Sequence, residues 1–127
     1  MGAKKRVAKR KETEIIEVID LTSLSSYQMV ATVGQIVNAS TSGFLMYIDR
    51  VHLSQQTLRE SLSIDQIVGE NVVLFLPQMS LDLEGKITRT KHRGKGVFEV
   101  AVQFSDNVPE YWRECLIDLF PAPGEID

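Results

Sequence analysis

From Leu81 to Phe104 apolar and polar residues alternate along two runs. Leu81, Leu83, Gly85 and Ile87 interleave with Asp82, Glu84, Lys86 and Thr88, and Phe98, Val100, Val102 and Phe104 resume the pattern after a basic segment, Lys91–Lys95 (KHRGK). Successive side chains of a strand point to opposite faces, so a period of two means one face buried and one face wet. Two such runs joined by a short tip containing glycine predict an antiparallel hairpin, with KHRGK as its tip. The same period returns elsewhere. Over Tyr27–Val37 the recurring set is Tyr27, Met29, Ala31, Val33 and Val37, and over Phe44–Ile48 it is Phe44, Met46 and Ile48, with a turn at Ala39–Gly43 (ASTSG) between them. Val72–Leu76 predicts a further strand. Thr13–Leu21 (TEIIEVIDL) is rich in β-branched residues and is read as the first strand, although Glu12, Glu14 and Glu17 would also suit a helix.

Period two fails between His52 and Val68. Leu58 and Leu62 share a helical face, Ser63 and Gln66 have the spacing of a capping box, and Gly69 can end a helix, so a helical insertion is expected there. Near the end, Asp106 or Asn107 is placed to cap a helix with Pro109 in its first turn. Trp112, Cys115, Leu116, Leu119 and Phe120 form its apolar stripe, and Pro121 stops it. Five or six antiparallel strands that must hide their edges, followed by one amphipathic helix, predict a small β-barrel or strongly curled sheet with the helix packed against it.

The chain has 127 residues, 43% of them hydrophobic, which is enough for one core, so one domain is expected: a basic arm over residues 1–12 and a body over residues 13–127. The net charge is -3, yet Lys4, Lys5, Arg6, Lys9, Arg10 and Lys11 crowd into the arm and leave the body acidic. An acidic body repels an extended nucleic acid, so the arm is expected to meet a small anion. A single cysteine, Cys115, excludes an internal disulfide and a cysteine-rich zinc site, and fits a reducing, cytoplasmic setting. No run approaches the roughly 18 apolar residues of a membrane span, and Met1–Lys11 lacks the apolar centre of a signal peptide. A soluble, unprocessed protein is expected, with neither membrane nor nucleic acid among its partners.

Two clusters can carry recognition chemistry. Arg6 and Arg10 stand four apart, so on a helical turn or in a wrapped arm both guanidinium groups can meet one object. Their planar forks suit phosphate, the O6 and N7 acceptors of guanine, and the face of a base. In isolation the pair reads more readily as part of a solvated basic tail. In Asn38-x-Ser40-x-x-Gly43 an amide ends a strand, a hydroxyl sits in the turn, and a glycine permits a close approach or an unusual backbone conformation. That set can face a polar ligand, or it can be an ordinary hairpin connection. Asp82 and Glu99 are read as solvated strand faces, Trp112 and Cys115 as core, and His52 and His92 as exposed loop residues. With no activated nucleophile, acid/base pair or metal constellation in the sequence, an enzyme is not expected.

Taken together and in this order, Arg6-Val-Ala-Lys-Arg10, Asn38-Ala-Ser-Thr-Ser-Gly43, Gly85-Lys-Ile87 and the helix around Trp112 resemble the PilZ domain family, bacterial receptors for the second messenger cyclic di-GMP. The resemblance spans nearly the whole chain. It implies a mainly β fold, a six-stranded antiparallel β-barrel with, here, a helical insertion and a C-terminal α-helix. It also implies cyclic di-GMP as ligand, with Arg6 and Arg10 on phosphate and guanine, Asn38 and Ser40 on the base edge or phosphate, and Gly43 supplying clearance. Arg89 is added from its position and charge, although Lys91, His92 and Arg93 are equally polar. Lys5 and Lys9 are the next candidates in the arm. Asn38 stands where the family more often has aspartate, and an uncharged amide makes the weaker bond. No cofactor is implied. The expected partner is a protein of motility, adhesion, exopolysaccharide or secretion machinery, and the alternative is a PilZ-like adaptor that binds no nucleotide.

Overall fold

A computed structural model of the chain describes residues 16–119. The basic arm, with Arg6 and Arg10, and Phe120 at the end of the C-terminal stripe lie outside the described residues. Six strands form one closed antiparallel barrel: β1 (Ile16–Ser23), β2 (Met29–Ala39), β3 (Gly43–Asp49), β4 (Asn71–Leu76), β5 (Leu81–Gly94) and β6 (Val97–Phe104), in the order β1-β2-β3-β6-β5-β4 with β4 paired back to β1. Closure leaves no edge strand unpaired, which is how so short a sheet avoids pairing with other chains.

Alternation decides which side chains fill the barrel. Phe44, Met46 and Ile48 of β3, Leu83 and Ile87 of β5, and Phe98, Val100, Val102 and Phe104 of β6 are all buried in the core, as their period implies. In β2 the expected phase is wrong. Tyr27 is 82% exposed and precedes the strand in a left-handed conformation (φ 58°), whereas the inward positions are Val30, Gly34 and Ile36. Val30 and Ala31 are buried in succession where the ladder with β1 shifts: Leu21 pairs with Ala31 and Thr22 with Met29, which leaves Val30 as an extra residue. Leu53 bridges to Ala31 at the strand edge, and the Ser54 N–H donates to the Val30 carbonyl at 2.9 Å, so Leu21, Ala31 and Leu53 form one row, all three buried in the core. A period read on one strand cannot anticipate a shift set by its partner strand.

The insertion is helical only in pieces: single 3-10 turns at Arg50–His52 and Asp65–Ile67 flank a one-turn helix, α1 (Gln56–Arg59). Ser63 makes no capping box. Its Oγ accepts from the Asp65 N–H at 3.1 Å, a local turn contact, while Leu53, Leu58, Ile64 and Ile67 are inserted into the core and close one end of the barrel. Arg50 ties this segment together: its N–H donates to the Gly96 carbonyl at 2.7 Å and its Nη1 to the carbonyls of Arg59 and Ser61. Glycine at position 69, with φ 95°, ends the segment as expected.

The other end is covered by α2 (Glu110–Asp118). Leu116 is buried, and Trp112 and Leu119 pack against the core. Neither Asp106 nor Asn107 caps this helix. Pro109 occupies the N-cap position with no side-chain bond. Its missing N–H and fixed φ suit a helix start in any case. The β5–β6 turn is tighter than the sequence suggests, because Lys91, His92 and Arg93 belong to β5 and only Lys95 and Gly96 lie between the strands. His92 is thus an exposed strand residue against the Phe98 ring, not a loop residue. Among the described residues no helix is long and apolar enough to cross a membrane.

Candidate functional site

Four of the candidate residues face one concavity on the outer wall of the barrel. Its volume is about 420 Å³, and Asn38, Ser40, Gly43 and Arg89 line it together with Leu45, Ala101 and Gln103. Small-ligand sites fall at roughly 300–1,000 Å³. The register explains the gathering. Asn38 pairs with Leu45, Leu45 with Ala101, and Ala101 with Arg89, so one row crosses β2, β3, β6 and β5. Three inter-strand spacings separate its ends by roughly 14 Å. Leu45 and Ala101 form an apolar floor, with an amide at one end and a guanidinium at the other.

Both ends of the row depend on bulges. In β2 the register shifts between Ile36 and Asn38, with Val37 as the extra residue, and in β5 it shifts between Ile87 and Arg89, with Thr88 as the extra residue. Ile36 and Ile87 are buried in the barrel. Strict alternation would send Asn38 and Arg89 inward as well, two positions further on. The extra residue in each strand turns them outward instead. Beyond its bulge β5 therefore presents Arg89 and Lys91 on the outer face, and Arg93, the extra residue of a second shift between His92 and Gly94, reaches Glu99 on that face.

The turn between β2 and β3 is tight and internally bonded. The Ser40 N–H donates to the Gly43 carbonyl at 2.8 Å, the Ser40 and Ser42 hydroxyls lie 3.1 Å apart, and the Ser42 N–H donates to Ser40 Oγ at 3.3 Å. Asn38 Oδ1 accepts from the Ala39 N–H at 2.9 Å, so what the amide offers a ligand is chiefly its two Nδ2 hydrogens. The reason for glycine at 43 is packing. A Cβ there would stand 2.1 Å from the Val102 carbonyl oxygen, and no left-handed conformation is involved. The close approach expected of Gly43 is thus made by the backbone of β6, and any room for a ligand lies on the other side.

Three features escaped sequence reading. Gln103 joins the lining from the row beside the floor, where it pairs with Gly43. Glu99 is not a freely solvated carboxylate. Its side chain is 12% exposed, its Oε1 accepts from Arg93 Nη1 at 2.9 Å, and its Oε2 lies 3.8 Å from Arg89 Nη2. Arg113, on α2, holds the turn in place: Nη1 donates to the Thr41 carbonyl, Nη2 to that of Ser105 and Nε to that of Val108, each at 3.1 Å. Nothing in an isolated strand or helix pattern marks these residues, since their partners lie across the fold. Arg89 itself remains 65% exposed, whereas Lys91, His92 and Arg93 do not line the concavity.

No family model matches the chain, and no curated protein matches it. The chemistry of the site therefore rests on its geometry: an open wall with an amide and hydroxyl groups at one end, the Arg89 guanidinium at the other and an apolar floor between them. Among the described residues no cluster of His, Cys, Asp and Glu is placed to hold a metal ion.

Proposed function

We propose that this protein is a PilZ-type receptor for cyclic di-GMP that passes the second-messenger signal to a protein partner as its N-terminal arm closes on the ligand. The observation that carries the reading is the meeting of Asn38, Ser40, Gly43 and Arg89 around one concavity, although Arg89 is distant from the others in sequence. Arginine and asparagine across an apolar floor can hold a phosphate and a guanine edge at once. β1 begins beside this wall. Ile16 pairs with Ile36, so the chain joins the barrel close to Asn38. Six residues from Arg10 to Ile16 reach at most about 20 Å when extended. The insertion packs at the opposite end of β2, against Val30 and Ala31, and leaves the wall uncovered.

Calorimetric titration with cyclic di-GMP tests the proposal. Binding is expected for the native chain, with affinity lowered about tenfold or more in Arg6→Ala, Arg10→Ala and Arg89→Ala, the scale of losing a charge-assisted bond to phosphate. Undiminished affinity in both arm variants would reject the arm contacts. A second reading, an adaptor that takes no nucleotide, draws on exposed Tyr27, Val51 and Leu62, which sit on the connections at the end of the barrel closed by the insertion. Absence of any heat at millimolar ligand, with a stable protein partner recovered, would favour it.

A further inference from the structure

The outer face of β3, β6 and β5 carries one carboxylate between two guanidinium groups, and it treats them unequally. Glu99 makes a short, hydrogen-bonded pair with Arg93 and only a 3.8 Å contact with Arg89. Arg93 is held from a second side as well, its guanidinium lying over the Tyr47 ring with Cζ 5.2 Å from the centroid. Tyr47 pairs with Glu99 across β3 and β6, so the ring and the carboxylate that fix Arg93 are themselves fixed by the strand register. Neither Arg93, Glu99 nor Tyr47 lines the concavity, whereas Arg89 does.

We propose that Tyr47 and Arg93 occupy Glu99 so that Arg89 stays available to an anionic ligand, which makes Arg93 a positioning residue for a site it does not touch. The inference rests on the concavity being a site for a phosphate-bearing ligand. A largely buried carboxylate that loses one cation recruits the nearest other one, because an unpaired charge in low dielectric is the costliest arrangement. Without Arg93 the guanidinium left within 4 Å of Glu99, among the described residues, is that of Arg89. Drawn into a short pair with Glu99, it would be withdrawn from the ligand. Lys91 provides the control. It pairs with Glu99 across β5 and β6 and carries the same charge on the same face, yet the ion pairs of Glu99 among the described residues are with the two arginines.

The test is a titration of cyclic di-GMP into the native chain, Arg93→Ala, Lys91→Ala and the double variant Arg93→Ala/Glu99→Gln. Arg93→Ala is expected to weaken binding roughly two- to fivefold, the scale of an exposed ion pair, with Lys91→Ala close to native. In the double variant binding returns to the native level or above. Equal losses in Arg93→Ala and Lys91→Ala would reduce the effect to summed surface charge and overturn the proposal. So would a loss that persists in the double variant. Nitrogen-15 spectra of the Arg89 guanidinium, recorded without ligand, separate this idea from the receptor reading. Arg93→Ala should shift the Arg89 signal and slow its rotation, and adding Glu99→Gln should reverse both. An Arg89 signal indifferent to Arg93 overturns the device whatever binds. A responsive signal in a protein that binds no dinucleotide sustains the device and sinks the receptor.

Discussion

Glu70 shows how single side chains hold the connections of this barrel in register. Its Oε1 accepts from the hydroxyls of Ser23 and Ser25, joining the β1–β2 turn to the residue just before β4, and Ser23 is itself buried. These two bonds, that of Ser23 first, hold the carboxyl below the ordinary glutamate range. A depressed folded-state pKa means that the carboxylate is favoured in the folded form. The stability it contributes is present above the unfolded-state value and is lost as pH falls through the lowered one. Glu70→Gln keeps an acceptor but removes the charge. The melting temperature of the native chain should exceed that of the variant by a constant margin from neutral pH down to the ordinary glutamate pKa. The margin should then shrink in more acid solution. Thermal melts across that range check it, and a margin that widens toward acid would contradict the assignment. Nothing in the sequence around Ser23 or Glu70 points to this pairing, because 47 positions separate the two residues.

At the scale of elements, the alternation of β3, β5 and β6 was legible because each of these strands has one face in the core and one in solvent. β2 was misread because its ladder with β1 shifts at Val30. The bulges at Val37 and Thr88 were not legible either, since an extra residue in a ladder is defined by the partner strand. The helix α2 was legible as a stripe, but its second task was not. Arg113 reaches from α2 to three carbonyl groups, one of them Thr41 in the candidate turn, and its guanidinium lies 5.2 Å over the Phe104 ring. Arg113→Ala leaves those carbonyls without their charged donor and should cost about 2 kcal/mol of stability, measured by urea denaturation. Arg113→Lys should recover only part, because an ammonium group cannot reproduce the planar fork. Full recovery by lysine would mean that charge alone holds the turn.

For the whole molecule, closure distributes stability unevenly. β3 and β6 pair without interruption from Gly43 with Gln103 to Asp49 with Val97, and their inward residues Met46, Ile48, Phe98 and Val100 are fully buried. The insertion is secured by side-chain and turn contacts instead of a continuous ladder. Amide exchange should therefore be slowest in the middle of β3 and β6 and markedly faster over Gln55–Gly69, because most of its backbone bonds close single turns and can open without breaking a strand ladder. Exchange measured residue by residue checks this, and equal protection of the two regions would show that the insertion unfolds only with the barrel.

Local pattern alone determined that the chain is built of alternating strands, that a helix follows them, and that an amide, a hydroxyl and a glycine share one turn. Those properties depend on the order of neighbouring residues. Closure into six strands, the outward aim of Asn38 and Arg89, and the division of Glu99 between two arginines were decided only by tertiary structure. The physical reason is that register is a relation between strands: one extra residue in a ladder reverses the face of every side chain beyond it, and no strand carries that information by itself.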